Sequence, residues 1–436
     1  VRDAFLVAFR LPNIFRRVLG EGALSVGLLP QLVAVRAEKG DEAERDLAGA
    51  VGGVIFILMS TLCLLGLLFM EEIVGVLVGG EAYLSVPGKI QRTVALSRIM
   101  FGFLILMSAF AFFMTVLQSR KKFLLTALAP CLFNLTMIAT ALVSKSTMTA
   151  DRALAWAVLL GGLLQFALLL PEIWRLKLWP HFNMNWSDVH VRKVLVGILP
   201  GMFGLGIVQI ITLVNLRFAA SLPQGTHSYF YFADRLLEFP LSLVVVSIGS
   251  ALLPTLSHLW EHGKKDEMSS TLNHYFCLIL FVALPAATGL FVLSEPIAEV
   301  LFVGKEFRVS EANIVADLIQ IAAPGLVLLA GVRLLSQGFY AMKNTWYPGV
   351  AALVSLIGHV VLAWTLTRKF QISGLAWATT LSSGLHFFML AAAYNRWVGS
   401  LNWRHILRSM VVFAGGCALM GLLLQLHPLL LPELRA

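Results

Sequence analysis

The sequence predicts an all-α, polytopic membrane protein built from two pseudo-symmetric, parallel six-helix lobes and an extra C-terminal helix. Composition is the first observation behind this prediction. Of 436 residues, 58% are hydrophobic and only 13% are charged, whereas soluble domains typically carry about 25% charged residues. The other two observations are apolar segments of spanning length along the chain and an apolar motif that recurs in both halves. The bilayer is therefore the expected solvent.

A helix needs roughly 20 mostly apolar residues to span a bilayer. Twelve segments meet this requirement, and charged or proline residues interrupt two of them. The polar stretches between them are too short to build a soluble core, and we expect the charge-rich stretches 36–46 and 258–274 to be solvated linkers. The predicted spans are 4–35 (interrupted), 47–70, 93–117, 123–143, 153–173, 194–218, 228–257, 275–303 (interrupted), 314–340, 347–366, 372–395 and 405–426.

Basic residues decide the predicted orientation. The formal charge is +9, from 33 Lys+Arg against 24 Asp+Glu, but the basic residues lie in short loops, so we interpret them as topology signals and expect no nucleic acid partner. By the positive-inside rule the richer face is cytoplasmic, with Val1 on the outer side. The richer face includes Arg36, Lys39, Arg120, Lys121, Lys122, Arg175, Lys177, Lys264, Lys265 and Lys343; the other includes Lys89, Arg92, Arg152, Lys305 and Arg308.

The chain contains the same helical unit twice. Leu154-Ala155-Trp156-Ala157 recurs as Leu375-Ala376-Trp377-Ala378, and Leu28-Leu29-Pro30 recurs as Leu252-Leu253-Pro254. Both matches have a spacing of roughly 220 residues, which is hard to obtain by chance. We therefore predict an N-terminal lobe over 1–180, a C-terminal lobe over 181–398 and an extra helix over 399–436. The same spacing places the partner of segment 194–218 before residue 1, so we expect a first helix to be missing. Segment 405–426 lies outside the repeat, and we expect a further helix after residue 436.

Ionisable residues inside the spans are the strongest functional signal, since each costs at least about 2.5 kcal/mol to insert. The first segment carries Arg10, Arg16, Arg17 and Glu21. Pro12 lies among them, and proline removes a backbone donor, so we expect the helix to kink or unwind there. Arg10, Arg17 and Glu21 would share one face if the helix resumes in phase. Such broken spans usually line a cavity.

The second lobe carries charges at the same repeat position. Asp234, Arg235 and Glu238 precede Pro240, and residues three or four apart on a helix can pair. Arginines from both lobes, facing one another across the pseudo-symmetric interface, would suit an anion with several phosphate oxygens. Two alternatives remain open: the charges of the first segment could form structural ion pairs or extend to the membrane interface, and the second cluster could satisfy itself.

Other chemistry finds little support. The sequence has no Walker motif, no metal-like histidine spacing and no nucleophile with a base at motif distance. Its four cysteines lie singly in apolar stretches, so neither a disulfide framework nor a zinc site is indicated. We expect a transporter without cofactor or metal, and not an enzyme.

Two stretches of the sequence resemble a known family. The run from Asp3 to Ala23, continuing to Pro30, and the run from Tyr231 to Pro240 are similar to signatures of the MurJ/MviN lipid II flippases, and the resemblance extends along nearly the whole chain. It implies the fold of the multidrug/oligosaccharidyl-lipid/polysaccharide exporter superfamily. It also implies movement of the undecaprenyl-pyrophosphate-linked peptidoglycan precursor, lipid II, from the inner to the outer leaflet of the bacterial cytoplasmic (inner) membrane by alternating access.

The resemblance assigns substrate-binding roles to most of the charges noted above. The expected partners of the protein are the lipid-linked peptidoglycan precursor and membrane lipids, with cell-wall synthesis proteins as further candidates. The chain is expected to be a monomer. Rival hypotheses are a flippase of the same fold for a polysaccharide-linked lipid, a cation-coupled drug exporter and a non-transporting scaffold. The implied binding residues are Asp3, Arg16, Arg17, Glu21, Asp234, Arg235 and Glu238, to which the charge pattern adds Arg10.

Overall fold

A computed structural model of the chain describes residues 2–15, 17, 24–144, 147–181, 183, 188–242, 247–304, 307–399 and 401–430. Within these residues the chain is helical, with one isolated β-bridge between Gly304 and Phe307, as the all-α prediction requires. The helices are α1 (Arg2–Phe15), α2 (Leu24–Leu68), α3 (Met70–Val78), α4 (Glu81–Leu84), α5 (Lys89–Phe101), α6 (Phe103–Ser119), α7 (Leu124–Val143), α8 (Thr147–Ala167), α9 (Leu170–Arg175), α10 (Val189–Ala219), α11 (Thr226–Leu241), α12 (Ser247–Glu261), α13 (Lys265–Val292), α14 (Ser294–Phe302), α15 (Val309–Ala341), α16 (Trp346–Trp397) and α17 (Trp403–Leu430).

Eight helical stretches in the described part of the chain are long and apolar enough to cross a membrane, which confirms a multi-pass membrane protein. Two of the eight extend over more than one predicted span, because helical structure continues through the corner between neighbours. The stretches are 27–68, 89–119, 124–143, 150–175, 265–292, 309–341, 346–397 and 403–424.

The prediction that residues 36–46 form a solvated linker is wrong about their secondary structure. These residues are helical within α2, and the backbone leaves helical geometry only at Gly40, with φ 87° and ψ −174°. The stretch is rich in Ala, Glu, Lys and Arg, which are strong helix formers. Most of its charged residues are exposed, with Glu44 as a buried exception, but exposure does not exclude a helix. Similarly, α13 already begins at Lys265, inside the other predicted linker.

Residues related by the repeat have matching environments. Ala155 and Ala376 are buried, whereas the next residues, Trp156 and Trp377, are 61% and 42% exposed. The same agreement holds for buried Leu28 and Leu252 and for exposed Leu160 and Leu381. It also extends to backbone conformation: Lys121 and Lys343 both have positive φ, 57° and 58°, just after α6 and α15. The two halves of the sequence therefore build the same unit.

The chain divides into two compact units, residues 1–224 and 225–436. Helix α10, which the repeat assigns to the C-terminal lobe, packs within the first unit against α2 and α3. At its contact with α2, a Cβ on Gly197 would lie 3.3 Å from the Cα of Gly27, so small residues allow the two backbones to approach closely, as is common between helices in lipid. The lobe boundary at residue 180 stays a prediction about the repeat.

In each unit, two helices flank the repeat-related segment. In the first unit α1 ends at Phe15 and α2 begins at Leu24; in the second, α11 ends at Leu241 and α12 begins at Ser247. The helix does not unwind at Pro12, because regular α-helix continues three residues beyond it to Phe15. Residues 16 and 18–23 of this segment lie outside the described residues, so the predicted interruption stays a prediction.

Candidate substrate site

Helix α1 is buried over most of its surface, and its buried residues include the polar side chains of Asp3 and Asn13. Ala4, Val7, Ala8 and Leu11 follow helical spacing and are all buried. Arg10 is half-buried, as is Arg17 just beyond the end of α1. Both have polar or ring interactions within the protein. The two other predicted charges of this segment, Arg16 and Glu21, lie outside the described residues, so the shared face of the predicted cluster stays a prediction.

Asp3 forms a buried ion pair at the start of α1. Its Oδ2 lies 3.0 Å from the Nζ of Lys89, the first residue of α5, and both side chains are only 6% exposed. The Lys89 ammonium also lies 4.2 Å from the centre of the Tyr83 ring, a favourable cation–π distance. The first turns of α1 and α5 are therefore tied together by charge.

Tyr83 and Thr93 extend this network. The Thr93 hydroxyl donates to the Lys89 carbonyl at 2.9 Å, so the 2.6 Å contact between the two hydroxyls has Tyr83 as donor and Thr93 as acceptor. Burial raises the pKa of the Tyr83 phenol, which keeps it protonated and able to donate. The Tyr83 backbone N–H also bonds to the carbonyl of Ala220, just after α10, at 3.1 Å. Four helices of the first unit meet at this network.

A second ion pair joins α5 to α8. The Arg92 Nε lies 2.5 Å from Asp151 Oδ2, and the Asp151 side chain is 2% exposed. The Arg152 backbone N–H donates to the other oxygen of the same carboxylate at 2.9 Å. Because Lys89 and Arg92 are three residues apart, the start of α5 holds α1 and α8 with neighbouring side chains.

In the second unit the charged cluster lies on α11. The Arg235 Nη1 is 3.0 Å from Glu238 Oε2, with the two side chains 42% and 41% exposed, which confirms the predicted pairing of these two positions. The guanidinium also lies over the Tyr231 ring at 5.0 Å. Asp234 is exposed on the same helix. A guanidinium has five N–H donors in a planar fork, so one bond to Glu238 uses only part of its capacity to bind oxygens.

The 36–46 corner holds a further charged cluster. Arg120, just after α6, contacts Asp41 Oδ1 at 2.8 Å and Glu44 Oε2 at 2.5 Å, and the Ser119 hydroxyl donates to Glu44 at 2.8 Å. This cluster fixes the corner to the end of α6. It contains none of the predicted binding residues.

One polar cavity of about 550 Å³ lies in the second unit, between the first turns of α13 and α17. Its lining does not include the charged cluster of α11. The residues that line it are Asp266, Ser269, Ser270, Asn273, His274, Asn402 and His405. Among the described residues, no group of three or more His, Cys, Asp or Glu side chains could hold a metal ion.

Comparison with known proteins identifies the family. A family model described as "Lipid II flippase MurJ" matches residues 1–432. The chain belongs to the MurJ family. Among its relatives, a "Probable lipid II flippase MurJ" of Bdellovibrio bacteriovorus is 38% identical over 99% of this chain and 83% of its own length. The "Lipid II flippase MurJ" of Burkholderia cenocepacia is 32% identical over 81% of this chain and 69% of its own. The resemblance seen in the signature runs is thereby confirmed.

Solved structures agree on the fold. A structure titled "Lipid II flippase MurJ, inward closed conformation" matches with a TM-score of 0.80 at 21% identity, covering 100% of this chain and 93% of the other. A multidrug resistance MATE family transporter in an inward-facing conformation matches with a TM-score of 0.76 at 12% identity, over 90% of this chain and 91% of its own. At these identities the likeness concerns the fold, which is shared by MurJ and MATE proteins.

Sequence reasoning missed the partners of the buried acids. Lys89 and Arg92 were predicted to be orienting charges of an outer loop, but they begin a helix and pair with Asp3 and Asp151. One local signal was available: a lysine directly before an apolar helical run sits at the positive end of the helix dipole and requires a compensating acid. Which acid compensates it depends on tertiary packing.

Proposed function

We propose that this chain transports the lipid-linked peptidoglycan precursor, lipid II, from the inner to the outer leaflet of the bacterial cytoplasmic membrane. It is a transporter and not an enzyme, as the names of its MurJ relatives support. The observation that carries the proposal is the Arg235 cluster, a half-exposed guanidinium on a helix that ends a few residues later in an otherwise apolar chain. Arg235 lies in the predicted span 228–257, and a charge within a span marks a substrate pathway by default.

The proposed chemistry is recognition of the pyrophosphate by arginine. Guanidinium groups stay ionised and bind phosphate oxygens in a bidentate manner. Arg10, Arg16, Arg17 and Arg235 supply this grip, and the carboxylates Glu21, Asp234 and Glu238 orient them. Alternating access then exposes the head group to each side in turn, while the undecaprenyl tail remains in lipid. Membrane lipids are the surrounding partners, and we propose a monomer that works beside cell-wall synthesis proteins.

Substitution of Arg235 tests this function. In proteoliposomes loaded with the lipid-linked precursor, we expect Arg235→Ala to lower the translocation rate about tenfold or more, since a hydrogen bond to a charged group is worth roughly 1.5–3 kcal/mol. Arg235→Lys, which keeps the charge but loses the fork, should lie in between. Arg175→Ala is the matched control, because Arg175 also makes an i,i+3 ion pair, with Glu172 at 2.7 Å, and its side chain is 68% exposed. Full activity of Arg235→Ala would contradict the proposal.

A drug exporter is the second candidate, because a MATE transporter shares the fold with a TM-score of 0.76. An exporter of amphiphilic cations would be expected to use acidic and aromatic walls instead of arginines. Competition separates the two cargoes. We expect an undecaprenyl pyrophosphate to displace a bound fluorescent precursor and an amphiphilic cation to leave it in place; the reverse result favours the exporter. A polysaccharide-linked lipid in the same competition tests the third cargo.

A further inference from the structure

Lys89 occupies an unfavourable place for a cation. It is the first residue of α5, and the preceding Gly88 provides no side-chain cap. The N-terminus of a helix carries a partial positive charge, so a lysine there is repelled. Its side chain is also only 6% exposed, so little water compensates. A buried cation at this position needs a nearby anion, and Asp3 supplies it at 3.0 Å.

Asp3, unlike Lys89, lies at a helix position that favours its charge. It lies in the first turn of α1, where the helix dipole favours an anion, and its carboxylate contacts the Lys89 ammonium. The carboxylate therefore points to a neighbouring helix of its own unit and has its charge compensated there. A carboxylate is also a poor direct ligand for pyrophosphate, because like charges repel.

The second unit makes the same junction with different chemistry. At the start of α11, the Tyr229 hydroxyl donates to Glu311 Oε1 at 3.3 Å, and Glu311 is the third residue of α15. Glu311 stands roughly 220 residues after Lys89, the spacing of the repeat. A cation in one unit thus corresponds to an anion in the other, while the contact between the two helix starts is retained. This pattern is typical of a helix junction and not of a contact with substrate.

We propose that Asp3 and Lys89 are a positioning pair, which fixes the start of α1 on α5 and thereby orients the arginines of that segment; this rests on the proposed function. Asp3, Arg10 and Arg17 are seven residues apart, which places Asp3 and Arg10 on nearly one side of α1. An error at the anchored end is carried along the helix to Arg10. Transport therefore requires a compatible pair at positions 3 and 89, and not the Asp3 carboxylate itself.

Paired substitutions test the proposal in proteoliposomes. Asp3→Asn and Lys89→Gln each remove one member of the buried ion pair, and we expect each to lower translocation about tenfold or more and to raise the half-saturating precursor concentration. The double variant Asp3→Asn/Lys89→Gln has no buried charge and should recover to within about threefold of the unmodified rate. The reversed pair Asp3→Lys/Lys89→Glu and the conservative Lys89→Arg should also be active.

The exposed pair of Lys343 with Glu261 is the matched control, with a separation of 3.1 Å against 3.0 Å for Lys89 and Asp3 but with side chains 82% and 56% exposed. Lys343→Gln and Glu261→Gln should leave the rate unchanged. If Asp3→Asn/Lys89→Gln and Asp3→Lys/Lys89→Glu are both inactive, whether folded or not, the proposal is overturned. If Asp3→Asn and Asp3→Asn/Lys89→Gln are folded and equally inactive, Asp3 is assigned to the substrate instead. Unimpaired single variants would overturn it as well.

Thermal unfolding of the same variants separates this proposal from the proposed function. If the unmodified protein moves no precursor, the proposed function fails, whereas the positioning pair is still tested by coupling. We expect the melting temperature of the double variant to exceed that of either single variant, because contacting charges give non-additive effects. Additive losses of melting temperature would show that the two residues do not act as a pair.

Discussion

Arg120 has two acidic partners at the 36–46 corner, and they differ in burial. The Glu44 side chain is 3% exposed and the Asp41 side chain 56% exposed. Solvent screens an exposed pair, so its contribution to stability is small. Removing one member of a buried pair leaves a charge without water or counterion, which is costly. One arginine thus allows the two environments to be compared directly.

We expect Glu44→Gln to lower the free energy of unfolding by about 3 kcal/mol, because the Arg120 guanidinium loses its buried counterion. Asp41→Asn, which removes the exposed partner of the same arginine, should cost at most about 1 kcal/mol. Denaturant unfolding of both variants in detergent micelles measures the difference. Equal losses would contradict the assignment of Glu44 as the buried partner.

The sequence predicts ion pairs within one helix better than ion pairs between helices. The pairing of Arg235 with Glu238 followed from their spacing on one helix, because i,i+3 neighbours meet whatever the fold. The pairing of Asp3 with Lys89 joins residues 86 positions apart, and no local rule specifies it. Charges on one helix are therefore predictable from sequence, whereas charges between helices require the packing.

At the scale of elements, both units use a glycine to turn a charged corner. Gly40 has φ 87° inside α2, and Gly263 has φ 69° between α12 and α13. The two are roughly 220 residues apart, so they are repeat partners. No atoms lie within 4 Å of a Cβ built on either residue. Space is therefore available at both corners, and backbone conformation alone requires glycine there.

We expect Gly40→Ala to destabilise the protein by about 1–3 kcal/mol, because φ 87° with ψ −174° is essentially restricted to glycine. Gly289→Ala is the control: this glycine lies within α13, and its Cβ would also meet nothing within 4 Å. There alanine should stabilise by up to about 1 kcal/mol, since it is the better helix former. Thermal unfolding of the two variants should therefore shift in opposite directions.

Hydrophobic runs of spanning length predicted the elements well, but not where helices end. A charged stretch was interpreted as a break in the helix, yet α2 continues through 36–46 because those residues favour helix and pair their charges. Pro12 predicts a kink or an unwound turn in the first segment, but α-helix continues past it to Phe15. Composition thus predicts burial and exposure, while helix ends also depend on tertiary contacts.

For the whole molecule, the internal repeat was the most informative part of the sequence. Period alone predicted two units, and the structure gives repeat partners equal burial, as with Leu160 and Leu381 at 49% and 47% exposure. It also gives equal backbone conformation at Lys121 and Lys343. A parallel repeat requires an even number of spans between the two copies, so repeat partners must face the same side of the membrane.

Thiol labelling in intact cells tests this orientation. In a variant without the four natural cysteines, we expect Lys121→Cys and Lys343→Cys to react with a membrane-impermeant maleimide only after permeabilisation, because the positive-inside rule predicts that the basic face is cytoplasmic. Glu81→Cys and Arg308→Cys, which replace exposed residues on the other predicted face, should react without permeabilisation and serve as the matched controls. Labelling of Lys121→Cys and Lys343→Cys from opposite sides would indicate an inverted repeat. That result would contradict the parallel architecture, on which the equivalence of positions 89 and 311 in the repeat depends.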